Sequence, residues 1–161
     1  MKKFQLMTIL GLFVCVFTFI ACGDDNDDTP ANARVGSWVI EHSESDDTGQ
    51  FYWKEVETLT FENNGKFTHL YEGEDGHQGE VRKHGSKEEG TYVYDQNTKV
   101  LALTVTGNSY MEPETGKWVT EPSSEAYTQK YQVSINGNEL TLTYLREDGE
   151  QEQHSTVFKK K

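Results

Sequence analysis

The side chains with the widest chemical repertoire in this chain are five histidines, at 42, 69, 77, 84 and 154, set among 27 aspartates and glutamates. A zinc site needs imidazole or thiolate ligands at short, fixed spacing. Only His77 and His84 are close in sequence, and neither has a His-x-x-x-His or cysteine partner. They read as surface histidines, and no metal site is expected. The run Asp24 to Asp28 has the look of a calcium loop, but its sixth position is Thr29 rather than Gly and its twelfth is Val35 rather than Glu. Two carboxylates can hydrolyse a glycoside only if a cleft pushes their pKa values apart, and spacing alone shows no such pair. No Gly-x-Ser-x-Gly elbow, phosphate loop or dinucleotide fingerprint occurs. No catalytic residue and no cofactor are therefore expected.

The remaining reactive type is cysteine, at 15 and 22. Cys15 lies inside the apolar run from Phe4 to Ile20, which follows Lys2 and Lys3 and ends at Ala21. Two lysines, a short greasy run and a small residue before a break are the parts of a secretory signal. The run is short for a membrane span, which needs ~20 apolar residues. Phe19-Ile20-Ala21-Cys22 resembles the cleavage site of bacterial lipoproteins, with Phe where Leu is usual. That resemblance implies that residues 1–21 are removed and that Cys22 is acylated. Stable anchoring takes two or more acyl chains, since each buried methylene contributes only about 0.8 kcal/mol. The acidic stretch Gly23-Asp24-Asp25-Asn26-Asp27-Asp28 resembles the export signal of Bacteroidota lipoproteins. It implies the outer face of the outer membrane, with the periplasmic face as the alternative. Residues 22–34 read as an acidic, flexible tether.

Without residues 1–21 the net charge moves from −12 to −14, because Lys2 and Lys3 leave. So acidic a balance repels nucleic acid and anionic headgroups, and no nucleic-acid partner is expected. Cys15 leaves as well, so no disulfide, thiolate metal site or cysteine nucleophile is available to the domain. Leu, Ile, Val and Phe are scarce, and Tyr and Trp make up much of the large apolar surface.

Residues 35–161 alternate apolar and polar types, with turn residues between the runs, and no 3.6-residue period stands out. Strands are expected at Val35–His42, Phe51–Phe61, Lys66–Tyr71, Gly90–Asp95, Lys99–Thr106, Glu139–Arg146 and Gln151–Lys159. Between Lys117 and Ile135 a strand, a break at Pro122 and a second, longer strand are expected. Gly73–Glu89 reads as a polar loop with a weak strand near Glu80–Lys83, and Gly107–Gly116 as another loop. Tight turns at Asn63-Asn64-Gly65, Asn136-Gly137-Asn138 and Asp148-Gly149 make neighbours of successive strands. Such a meander buries its edges by closing. The expected fold is all-β, an antiparallel up-and-down barrel of about eight strands.

Gly36-Ser37-Trp38 is similar to the Gly-x-Trp signature of lipocalins. The succession Leu59 to Phe67, Gly90 to Asp95, Leu101 to Thr104 and Tyr131 to Thr143 resembles the lipocalin-like lipoproteins of Bacteroidota. The resemblance covers roughly residues 35–158. It implies that Trp38 plugs the narrow end of the barrel and meets a late-strand arginine, for which Arg146 is the candidate. The disulfides of secreted lipocalins are absent.

An eight-stranded barrel is either filled by side chains or holds one small ligand. Tyr and Trp combine an apolar face with a polar tip, which suits amphipathic molecules and carbohydrate. If the barrel is open, Trp53, Tyr71, Tyr92, Tyr131 and Tyr144 are expected to line the ligand site. If it is filled, the same aromatics complete the core, and the protein acts as a non-catalytic interaction module for an outer-membrane partner. Its contacts would then be made through Gly73–Glu89 and Gly107–Pro122. The expected partners are thus the membrane, through the lipid anchor, and either a small hydrophobic or carbohydrate ligand or an outer-membrane protein.

Overall fold

The computed structural model describes residues 33–48, 51–77, 79–121, 125–148 and 150–161. The expected signal segment 1–21, Cys22 and the expected tether as far as Asn32 lie outside the described residues. Nine strands follow one another: β1 (Gly36–Ser45), β2 (Phe51–Phe61), β3 (Lys66–His77), β4 (Glu80–Asp95), β5 (Val100–Met111), β6 (Trp118–Thr120), β7 (Tyr127–Asn136), β8 (Glu139–Leu145) and β9 (Gln151–Lys160). Every pairing is antiparallel, and the ladder runs β1-β2-β3-β4-β5-β7-β8-β9 and back to β1. Eight strands thus close into an up-and-down barrel that matches the lipocalin-like fold, while β6 is a short addition to the far end of β5.

The turns are made as their residues dictate. Gly65 adopts φ +80° at the end of Asn63-Asn64-Gly65, and its N–H donates to the Glu62 carbonyl at 3.2 Å. The Asp95 carboxylate accepts from the Asn97 N–H at 2.8 Å and so shapes the β4–β5 turn.

The apolar core occupies one half of the barrel. Trp38, Leu59, Phe61, Phe67, Leu101, Leu103, Val105, Val133, Leu140, Leu142 and Phe158 are all buried there. They come from every barrel strand except β4, which contributes the partly buried Tyr92 and Tyr94. At the closed end Trp38 is fully buried, and its Nε1 donates to the Arg34 carbonyl at 2.7 Å. Arg146 does not meet it. Arg146 follows β8 at the opposite end, 3.9 Å from Asp148, and Lys160 Nζ instead lies 5.2 Å from the Trp38 ring centre. The reason is register: β8 starts at the closed end and finishes at the open one, so only β9 brings a late cation back to Trp38.

Two sequence expectations are corrected. Gly73–Glu89 is no loop but the continuous hairpin of β3 and β4, paired from His77↔Glu80 to Lys66↔Thr91. The first half of Gly107–Gly116 likewise continues β5 as far as Met111. Gly73–Glu89 lacks apolar alternation because its inward residues, such as Asp75, His84 and Glu88, lie above the apolar core instead of in it.

Closure is uneven. Strands β1 and β2 pair along ten positions, whereas β1 and β9 pair only at Trp38↔Lys160 and Val39↔Lys159. Beyond that short seam lies a surface cleft of about 390 Å³ lined by Val39, Ile40, Val157 and Lys159 among others.

Candidate binding site: a tyrosine and carboxylate cup

Strand side chains alternate, so residues in register with the core and of the same parity share its face. On β2 that face continues from Phe61 and Leu59 to Glu57, Glu55 and Trp53. On β3 it continues from Phe67 to His69, Tyr71, Gly73 and Asp75, and on β4 from Gly90 to Glu88, Ser86 and His84. Strand β7 supplies Tyr127, Gln129 and Tyr131, and β8 supplies Tyr144 opposite Tyr131. The open half of the barrel is therefore a polar cup standing on an apolar floor.

A cavity of about 90 Å³ marks the boundary. Leu59, Leu103, Leu142 and Phe158 form its floor, and Glu57, His69, Tyr131 and Thr156 its wall. These residues come from six strands, which places the cavity inside the barrel. Its volume equals the share of about three water molecules.

Two hydrogen-bonded chains brace the wall. In the deeper one, His69 Nε2 lies 3.3 Å from Glu57 and Nδ1 lies 3.7 Å from Glu88. The Tyr127 hydroxyl donates to the other side of Glu88 at 2.5 Å. Burial pulls the His69 pKa down, but hydrogen bonds and charge from Glu57 and Glu88 outweigh it and raise the pKa to about 9. His69 in turn holds both glutamates below the usual carboxylate range. In the chain nearer the mouth, Tyr71 donates to Glu55 and its hydroxyl also lies 3.2 Å from His84 Nε2. His84 Nδ1 is 3.6 Å from Asp75. Gly73 makes room for this arrangement, since a β-carbon there would lie 2.0 Å from His84 Nε2. Burial and the neighbouring carboxylates push Tyr71, Tyr127 and Tyr131 up to about 12, so all three stay protonated donors.

Of the aromatics expected to line a ligand site, Tyr71 and Tyr131 lie in the cup. Tyr144 meets Tyr131 edge to face, with ring centres 5.7 Å apart. Trp53 is higher up, 6.4 Å from the His42 ring. Tyr92 is set apart: it packs against Phe61 at 5.0 Å and donates to the Glu62 carbonyl at the closed end. Its parity is right but its height is wrong. The core is aliphatic and phenylalanine-rich, with Trp38 as the only other buried aromatic among the described residues, and the tyrosines ring it rather than fill it.

Sequence reasoning missed Glu55, Glu57, His69 and Glu88. The signal was present in the alternation itself, because Glu57 precedes Leu59 by two positions and His69 follows Phe67 by two. Among the described residues no cluster of three or more His, Cys, Asp or Glu is arranged to hold a metal ion. No protein-family model matches the chain, and no curated protein matches it.

Proposed function

We propose that this protein is a cell-envelope lipoprotein, held in the outer membrane by acylated Cys22, exposed on the cell surface, and built to bind a small amphipathic or glycan-derived ligand in its barrel. The observation that carries the binding role is the cup itself. An interior that turns from Leu59, Leu103 and Phe158 to Tyr131, His69 and Glu57 offers a ligand one apolar and one polar surface within a single cavity. The role is non-catalytic. Native mass spectrometry of the purified chain against lipid and glycan panels tests it, with a bound species expected and lost on Tyr131→Ala. A chain that retains nothing from either panel overturns it.

The anchor is tested separately. Cys22→Ala is expected to abolish lipid labelling and release the protein from membranes, and unchanged membrane retention overturns the anchor. Protease shaving of whole cells is expected to cleave the domain, whereas protection would place it on the periplasmic face.

A second reading is favoured by the outer surface. Val81 and Trp118 are exposed on the outer face of β4 and β6, on the flank where the long β3–β4 hairpin stands. Trp118 packs over Gly85 instead of entering the core. In this reading the barrel docks through that flank on another outer-membrane protein. Pull-down with Val81→Ser and Trp118→Ser, compared with Tyr131→Ala, separates the two.

A further inference from the structure

The cup's wall is acidic on balance, its carboxylates outnumbering the one imidazolium, His69, that lies between Glu57 and Glu88. Glu55, Glu57, Asp75 and Glu88 share the inner face of β2, β3 and β4. Between Lys160 at the Trp38 end and Arg82 at the rim, no lysine or arginine among the described residues of these eight strands occupies an inward register position. His69 offers nothing to an anion, because each of its ring nitrogens already faces a carboxylate, at 3.3 and 3.7 Å. The whole molecule repeats the asymmetry along the barrel axis. Glu44, Asp46 and Asp47 mark the mouth at the β1–β2 connection, and Glu147, Asp148 and Glu150 mark it at β8–β9. Arg34, Lys159, Lys160 and Lys161 gather at the closed end. Field lines from such a mouth draw cations inward and turn anions away.

Size narrows the class further. A cavity of about 90 Å³ takes a slim head of about three water-sized groups most readily. Above it, the edge-to-face pair of Tyr131 and Tyr144 gives a cation an aromatic face. The cavity, its aromatic wall and the axial polarity are three separate features that agree.

We propose that the cup selects a linear organic cation, such as a primary alkylamine, with its ammonium head beside Glu57 and its chain running past Tyr131 and Tyr144 toward the mouth. The inference rests on the reading of the barrel as a ligand binder and names the ligand's charge and shape. The test is titration of the full chain with hexylamine, 1-hexanol and hexanoate, three probes of matched length, followed by calorimetry and the NMR signals of His69 and Tyr131. Hexylamine is expected to bind about tenfold more tightly than hexanol, with shifts at both residues, and hexanoate least of all. Raising salt should weaken the amine but not the alcohol, a check that needs no variant. Glu57→Gln should erase the amine's advantage. Equal or tighter binding of hexanol or hexanoate, or of a glycan in place of the amine, overturns the cation preference and leaves the ligand-binding reading standing. Failure of all three probes and of the lipid and glycan panels overturns both.

Discussion

Glu88 on β4 and Tyr127 on β7 are hydrogen-bonded at 2.5 Å although β5 lies between their strands and 39 positions separate them in the chain. The contact reaches over β5 on the inner face, and through His69 it continues to Glu57 on β2. One strut thus ties four strands of the open half, where no apolar core does so.

Removing the strut should have a measurable cost. Tyr127→Phe takes away one partly exposed hydrogen bond to a charged acceptor, and a loss of about 1 kcal/mol is expected in urea unfolding. The m-value should not change, because the surface exposed on unfolding stays the same. A stability equal to that of the unmodified chain would mean that Glu88 is held by His69 alone.

His69 makes the fold pH-dependent. It is faced by Glu57 from β2, Glu88 from β4 and Tyr131 from β7. Its pKa is about 9 in the folded chain against 6.5 unfolded, so the folded state binds its proton more tightly. The stability gained is complete below pH 6.5 and is lost as pH rises to about 9. Glu57 and Glu88 have the opposite sign: their contribution is present above pH 4.5 and fades as pH falls through their lowered values. Partial exposure reduces the His69 contribution to about 1–2 kcal/mol. Urea midpoints measured from pH 5 to pH 10 should fall across the 6.5–9 interval, and His69→Asn should flatten that slope.

Trp38 holds the opposite end. It is fully buried, bonded to the Arg34 carbonyl and covered by Lys160. Trp38→Ala leaves a large void in the best-packed layer and should cost about 3–5 kcal/mol. Thermal unfolding checks the loss. Trp38→Phe, which keeps most of the volume but not the Nε1 bond, should fall between the two.

Gly73 controls the chain nearer the mouth. Any β-carbon there displaces the His84 ring. Gly73→Ala should break the 3.2 Å contact between Tyr71 and His84 while the bond from Tyr71 to Glu55 persists. The His84 imidazole signals in NMR should move, with those of His69 unchanged. Unmoved His84 signals would mean that the wall has more slack than its packing implies.

The barrel was legible where its inner face is apolar. Leu101, Leu103 and Val105 alternate without ambiguity, and Asn63-Asn64-Gly65 and Asn136-Gly137 announce their hairpins. Gly73–Glu89 escaped because in the open half the inner face is written in Tyr, Gly, Asp, His and Glu, and period two is invisible when both faces are polar. Height along a strand was equally hidden. Tyr92 and Tyr71 both point inward, but only the pairing register reveals that one sits at the floor and the other at the mouth. Glu57, His69 and Glu88 come together through cross-strand neighbours, information that no single strand carries.

The two ends of the domain lie side by side, since Lys161 N–H donates to the Ser37 carbonyl at 2.9 Å and Lys160 Nζ reaches the Ala33 carbonyl at 3.3 Å. A short peptide could therefore join them, and the chain could be cut anew at the tip of the β3–β4 hairpin, to give a circular permutant with the same strand neighbours. By the same geometry, anything joined directly to Ala33 or Lys161 is attached at the pole away from the mouth.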